Sequence, residues 1–333
     1  MNAGQPGTRA GAVSFAVLAE SPLFLYSFLG KYMENHMSQR TYAVIGLGAI
    51  GLGMAQSLLR ADLNVIGCNR GPGPLKIFAG NGGRTTHDPA EAAKAADVLF
   101  LAVVNAAQAE DVLFGRGQAA RALKPGSLVI DCVTVKPAFA REMERRLAEL
   151  GLLYLDAPVS GGPAQSAAGQ LSIMASGLPE AFARAETGLK AVASVVHRLG
   201  DEAGKGSAMK VVNQLLAGTH IAVAAEAMAL GLRMGLAAED VYAVITSAAA
   251  NSWMFETRMK HVLSGDYTPL SAVDIFVKDL GIVSETTREQ AMPAPLAAAA
   301  LQQFVAAQAR GLGREADAAV IKTFPGIELP SKE

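Results

Sequence analysis

Charge is scarce in this chain and nearly balanced. Charged residues make up 18% of 333, and the formal net charge is −1. No basic surface is left over for nucleic acid or for an anionic membrane, so neither is expected as a partner. Cysteine is almost absent too. Cys68 and Cys132 each fall in an apolar, strand-like segment and are expected as reduced core thiols of a cytoplasmic protein, not as a disulfide framework. The histidines (His36, His87, His197, His220 and His261) are scattered, and no pair has metal-ligand spacing, so no metal site is expected. Aromatics reach only 6%, with Trp253 the single tryptophan. An unbroken membrane-length run is missing from the first forty residues: Ala12 to Leu29 is apolar but interrupted by Glu20, Ser21 and Pro22. A secretory cleavage site does not follow it. Met37-Ser38-Gln39-Arg40 leads straight into a strand, so residues 1–38 are expected to lie outside the fold as an extension.

What the chain does have is apolar mass. Hydrophobic residues make up 51%, and the length suffices for two domains. Thr41 to Ile45 reads as a short strand. Gly46-Leu47-Gly48-Ala49-Ile50-Gly51 follows, and then a helix to about Arg60. This is the context a GxGxxG dinucleotide turn requires. The first glycine allows the tight turn, the second lets backbone approach a pyrophosphate, and the third lets helix pack on strand. The second strand, Asn64 to Cys68, ends in Asn69-Arg70. An NAD-specific site usually carries an acid there to hold the ribose hydroxyls. Here Asn69 is the candidate ribose partner, and Arg70 is a candidate for a 2′-phosphate, for adenine stacking or simply for solvent. NAD is the expected cofactor, with NADP admitted.

Further strands are expected at Asp97 to Val104, Ser127 to Asp131, Leu152 to Leu155, Gly169 to Ser176 and Ser194 to Arg198. Strand–helix alternation of this kind implies an α/β fold with a mostly parallel sheet and helices on both faces. Ligands bind at the carboxyl ends of such strands. Gly46–Gly51, Val103-Val104-Asn105, Thr134 and Ser160-Gly161-Gly162 all fall at such ends, so one crevice can gather them. After Gly200 strands vanish. Residues 206–235 predict one long helix, and Ala237 to Ala250, Ser271 to about Glu289 and Pro293 to Ala309 predict further ones. The expected division is a Rossmann-type NAD(P)-binding domain at 39–203 and a helical substrate and oligomerisation domain at 204–333, joined by the long helix.

Lys210 stands at the start of that helix. Between Ala208 and Ala225 the only titratable side chains are Lys210 and His220. A lysine buried on an apolar helix loses hydration, and its pKa falls toward the range of an acid/base catalyst. Taken by itself, a lysine snorkelling into water explains the same residue.

Four segments, in order, remove that ambiguity: Gly46–Gly51, Asp156-Ala157-Pro158-Val159-Ser160-Gly161-Gly162, Gly206 to Gln214, and Phe276-Val277-Lys278-Asp279-Leu280-Gly281. Together they resemble the β-hydroxyacid dehydrogenase family over about residues 41–326. Val103 to Gln108, Asn251 to Glu256, Tyr267-Thr268-Pro269 and Ser271 to Asp279 further resemble its L-threonate-oxidising branch. The resemblance implies oxidation of the 2-hydroxyl of a small hydroxy acid, with hydride passing from C2 to a nicotinamide and the hydroxyl proton to Lys210 as the catalytic base. It implies Ser160, Gly161 and Gly162 at the substrate carboxylate, and Lys278 near the cofactor. Where the family usually has Asn four residues after the lysine, this chain has Gln214, with Asn213 one residue earlier, so either can face substrate. Asn251, Ser252, Trp253 and Phe255 are expected to border the substrate. The family forms dimers or tetramers, so a homo-oligomer is expected. Other family members (tartronate semialdehyde reductase, 3-hydroxyisobutyrate dehydrogenase) and a non-catalytic nicotinamide-binding module are the alternatives. Imine reductases share the architecture, but many lack the lysine.

Overall fold

The computed structural model describes residues 40–332. The expected extension at 1–38 lies outside the described residues. Six strands form one sheet in the order β3-β2-β1-β4-β5-β6. They are β1 (Thr41–Ile45), β2 (Asn64–Cys68), β3 (Arg84–Thr86), β4 (Val98–Leu101), β5 (Leu128–Asp131) and β6 (Leu153–Asp156). Every pairing is parallel. The order reverses between β1 and β4, which opens the crevice where doubly wound sheets take their ligands.

The sheet is buried on both faces because its central strands are apolar at nearly every position, Thr41 and Asp131 standing at strand ends. Period-two alternation sends Tyr42, Val44, Phe100 and Leu128 into one core layer. Ala43, Ile45, Leu99, Leu101 and Val129 go into the other. A separate apolar cluster, including Ile221, Ala225, Met228, Phe276 and Phe304, holds the helical half together. The chain is thus a Rossmann-type domain followed by a helical one.

Two of the expected strands belong elsewhere. β8 (Leu171–Ala175) and β9 (Ala193–Arg198) form a second, three-stranded sheet with β7 (Val159–Ser160). β7 runs antiparallel to β8, and an isolated Asp156–Ser176 bridge joins this sheet to the end of β6. The sequence pattern shows strands but not which sheet they join. Asp97 to Val104 also shortens to Val98–Leu101, because the strand stops where the chain turns into the crevice.

The long helix runs Lys205–Arg233, 29 residues, or roughly 44 Å at 1.5 Å per residue. By length and hydropathy it could cross a bilayer, but half of its most apolar window is buried inside the fold. It packs against helices Trp253–Ser264, Val273–Glu289 and Pro295–Ala309. The first of these is absent from the sequence expectations. It starts at Ser252, whose hydroxyl accepts a hydrogen bond from Phe255 N–H at 3.0 Å, an N-cap. Helix Ala238–Ser247 completes the half.

Asp156, at the end of β6, fixes the start of the long helix. Its carboxylate accepts hydrogen bonds from Gly204 N and Ser207 N at 2.8 Å each, and from the Ser207 hydroxyl at 2.6 Å. A helix's first N–H groups lack intrahelical partners, and a carboxylate there satisfies them while complementing the dipole. The helix therefore begins against the carboxyl edge of the sheet, and Lys210 comes to the crevice with it.

Candidate active site

Two cavities open along the carboxyl edge of the sheet, of about 410 and 430 Å3. Both are lined by Gly48, Ala102, Val103 and Val104, so they form one crevice. The first also takes Gly46, Asn69 and Arg70, with Asp111 and Arg116 beyond them. The second takes Ala49, Ile50 and Thr134 from the sheet side, and Ser160, Gly161 and Gly162 after β6. Lys210, Asn213 and Gln214 enter it from the long helix, and Lys278 from helix Val273–Glu289. Segments from opposite ends of the described chain thus meet at the strand ends.

Four of the expected site residues stand outside the lining. Leu47 is buried beneath the glycine turn. Gly51 lies where helix and strand approach closest: a Cβ there would sit 1.8 Å from the carbonyl oxygen of Gly46. Asn105 caps helix Ala106–Leu113 by accepting from Gln108 N–H at 2.9 Å. Asn251 donates to the Thr246 carbonyl at 3.3 Å, apart from the crevice. Asn69 lines the crevice, but its side chain serves the turn as well as the cavity. Its Oδ1 accepts from Leu47 N–H at 3.1 Å, and its Nδ2 donates to the Gly71 carbonyl at 3.0 Å. Of the expected substrate border, Trp253 lines the second cavity, 52% exposed, and Met254 beside it, which was not expected there, lines it too. Ser252 is the helix cap already described, and Phe255 is core.

A dinucleotide fits these residues. A Cβ on Gly48 would meet nothing within 4 Å, so bare backbone faces open cavity where a pyrophosphate needs close approach. The remaining glycines of the turn keep that backbone pressed on the sheet.

Lys210 is 7% exposed. Burial pulls its pKa down to about 8, with the Lys278 ammonium also lowering it, while the Asp279 carboxylate works the other way. Asp279 is 3% exposed and is the hub of the site. Its Oδ2 accepts from Gln214 Nε2 at 2.6 Å, and Gln214 Oε1 in turn accepts from Asn213 Nδ2 at 2.8 Å. Its Oδ1 lies 2.8 Å from Lys278 Nζ, an ion-pair contact without hydrogen-bond alignment. Lys278 Nζ also donates to the Val104 carbonyl at 2.8 Å and reaches the Thr134 carbonyl at 3.5 Å. The helical half is thereby tied to two strand ends, and Asn213 and Gln214 are held in a fixed relation to Lys210.

The sequence expectations did not include Asp279, Asp156 or Arg258 as site residues. The first two stand inside quoted motifs, next to Lys278 and just ahead of Ser160, and adjacency was the available signal. Arg258 carried none. It lines the second cavity, paired at 2.9 Å with buried Asp317. Cys68 and Cys132 also line the crevice, but burial pushes both thiols up, Cys68 to about 12, which leaves them protonated and unreactive.

One pH dependence follows from this geometry. The acid/base role expected of Lys210 requires its neutral amine, so with that role kcat/KM for oxidation of a hydroxy acid should rise with pH through a single ionisation near 8. In Asp279→Asn the charge that favours the ammonium is gone, while the amide oxygen still accepts from Gln214. The rise should move to lower pH. Rate profiles of both proteins between pH 6 and 10 check this, and an unmoved or upward-shifted profile would separate Asp279 from the ionisation.

Comparison with known proteins agrees with this geometry. Residues 41–200 match the model of the NAD-binding domain of 6-phosphogluconate dehydrogenase. Residues 204–324 match the NAD-binding model of NADP-dependent 3-hydroxyisobutyrate dehydrogenase. An L-threonate dehydrogenase of Cupriavidus necator is 58% identical over 88% of this chain and 99% of its own length. One from Pectobacterium atrosepticum is 48% identical over 89% and 98%. The crystal structure of a 3-hydroxyisobutyrate dehydrogenase from Salmonella typhimurium superposes with a TM-score of 0.83 at 48% identity, covering 86% of this chain and all of that one.

Proposed function

The chain belongs to the 3-hydroxyisobutyrate dehydrogenase family, and from that premise we propose that it oxidises the 2-hydroxyl of L-threonate to 2-dehydro-L-erythronate with NAD. The observation that carries the reading is a buried Lys210, poised near 8, in one crevice with the glycine turn and Ser160. The substrate carboxylate is held by the Ser160 hydroxyl and the backbone of Gly161 and Gly162, which follow with φ of 136° and 77°, a turn open to glycine. Neutral Lys210 accepts the C2 hydroxyl proton on Nζ as the C2 hydrogen leaves as hydride. NAD, when bound, supplies the hydride acceptor. Asn213 and Gln214 line the same wall and orient the hydroxyl. The Asp279–Lys278 pair sets the field around Nζ.

Both names found among relatives are tested by one assay. With NAD, kcat/KM for L-threonate should exceed that for 3-hydroxyisobutyrate at least about tenfold, because polar groups built for hydroxyls are left unpaired by a methyl-bearing substrate. A higher value for 3-hydroxyisobutyrate or tartronate semialdehyde would replace the substrate while leaving the lysine chemistry in place.

The division into an NAD(P)-binding domain and a substrate domain near residue 204 belongs to this reading, as does a cytoplasmic place for a protein whose two thiols are both free. We also infer a homo-oligomer. Met209, Leu216, Val223 and Leu230 recur every seven residues on the long helix and are all exposed, with Val212 beside them. Such a stripe fits helix packing between copies.

A further inference from the structure

We propose that Arg258, held by Asp317, reads the hydroxyl groups of the substrate beyond C2 and so determines specificity. The inference rests on the threonate reading above. Arg258 stands on helix Trp253–Ser264 and lines the same cavity as Lys210. Its side chain is 14% exposed and that of Asp317 is 1% exposed. Arg258 Nε lies 2.9 Å from one Asp317 carboxylate oxygen and donates to the other at 3.1 Å. Its Nη1 donates to the Thr257 hydroxyl at 3.2 Å, and the Trp253 ring lies with its centroid 5.5 Å from Cζ. The guanidinium is therefore gripped on three sides.

A guanidinium has five N–H donors in a rigid fork. The contacts above use the Nε edge and one donor of Nη1. Among the described residues, no protein acceptor takes the Nη2 pair. The other two cations of this cavity have different tasks. Lys278 is tied to Val104 and Asp279, and Lys210 must be neutral to act. Arg258 is the remaining source of fixed donors.

Charge decides what those donors suit. Buried Asp317 already neutralises the guanidinium, so a second carboxylate gains little there. Neutral hydroxyl oxygens gain hydrogen bonds without a further desolvated charge. The substrate's own carboxylate has Ser160, Gly161 and Gly162. The chemical class that fits Arg258 is a polyhydroxy acid, with the 3- and 4-hydroxyls of a four-carbon chain as acceptors. An acid lacking them leaves the fork unpaired, which is costly in a confined site.

The test compares L-threonate with 2-hydroxybutanoate of matching C2 configuration, which lacks both distal hydroxyls. Arg258→Lys keeps the charge beside Asp317 and removes the fork. We expect its kcat/KM for L-threonate to fall about 10–100-fold, mainly through KM, and that for 2-hydroxybutanoate to fall less than about threefold. The double variant Arg258→Met with Asp317→Asn leaves no buried carboxylate unpaired and should show the same loss of discrimination. Melting temperature and NADH affinity of each variant establish that the fold and cofactor site stand. Equal losses on both substrates would make Arg258 a carboxylate anchor or a packing residue, and an unchanged L-threonate value would remove it from the site. Either overturns the proposal. Failure of the unmodified enzyme to oxidise L-threonate would instead sink the substrate reading, and this inference with it.

Discussion

Lys210→Ala lowers kcat for oxidation by roughly 10²–10⁴-fold, the range lost with a general acid/base, and leaves NADH affinity within a few fold. The Gly46–Gly48 backbone, which would hold the cofactor's phosphates, lies on a different element from the lysine. Stability should change little at pH 7, because two effects oppose one another. A pKa held at about 8 instead of 10.5 means the folded state disfavours the ammonium, at a cost on the order of 3 kcal/mol. That cost is complete below the folded value and disappears as pH rises through the unfolded one. The aliphatic stem offsets it by about 2 kcal/mol of burial. Lys210→Arg should not rescue turnover, since a guanidinium keeps its proton at working pH. Steady-state rates, NADH fluorescence titration and melting curves decide the matter. Near-wild-type turnover in Lys210→Ala would sink the mechanism, and parallel loss of NADH binding and melting temperature would make the lysine structural.

The glycine turn gives the second large effect, as a contrast between neighbours. Gly51→Ala places a Cβ 1.8 Å from Gly46 O and 3.0 Å from the Ala102 Cβ. Helix and strand must separate, at a cost of about 1–3 kcal/mol or more. We expect melting to fall by several degrees and NADH affinity by at least about 100-fold, because the displaced turn is the one that would cradle the phosphates. Gly48→Ala meets no protein atom within 4 Å. It should melt like the wild type and still lose about 10–100-fold in NADH affinity, because its methyl occupies the approach reserved for the pyrophosphate. If Gly48→Ala binds NADH normally, the cofactor does not pass over this turn.

Much of this site was legible in the chain because its signals are local. The turn is six consecutive residues after an apolar strand, and Lys210 is conspicuous by the apolar helix around it. What escaped depends on partners distant in sequence. Asp279 becomes a hub only when Gln214, 65 residues earlier, is brought against it. Arg258 is fixed at the cavity wall only when Asp317, 59 residues later, is brought against it. Asn69 was read as a ribose ligand from its place after β2, yet its amide is also engaged by Leu47 and Gly71, which a linear pattern cannot reveal. The fold shows the same limit. Buried central strands announce themselves as apolar runs. β3 is three residues of Arg84-Thr85-Thr86 with no apolar period to detect. Helix Trp253–Ser264 was hidden behind aromatic residues assigned to a pocket wall, although Ser252 ahead of it is a helix-starting residue.

The Asp156 grip on residues 204–207 has a mechanical meaning. Lys210 lies about 5 Å along the helix axis from Ser207, whereas Arg233 lies about 39 Å away. A rocking of the helix by about 5° around that fulcrum moves the far end by roughly 3 Å and the lysine by less than about 0.5 Å. Any tilt of the helix about that anchor therefore disturbs the register of Lys210 with the sheet far less than it displaces the helix's far end. Lys210 sits on the short arm of that lever, beside the anchor.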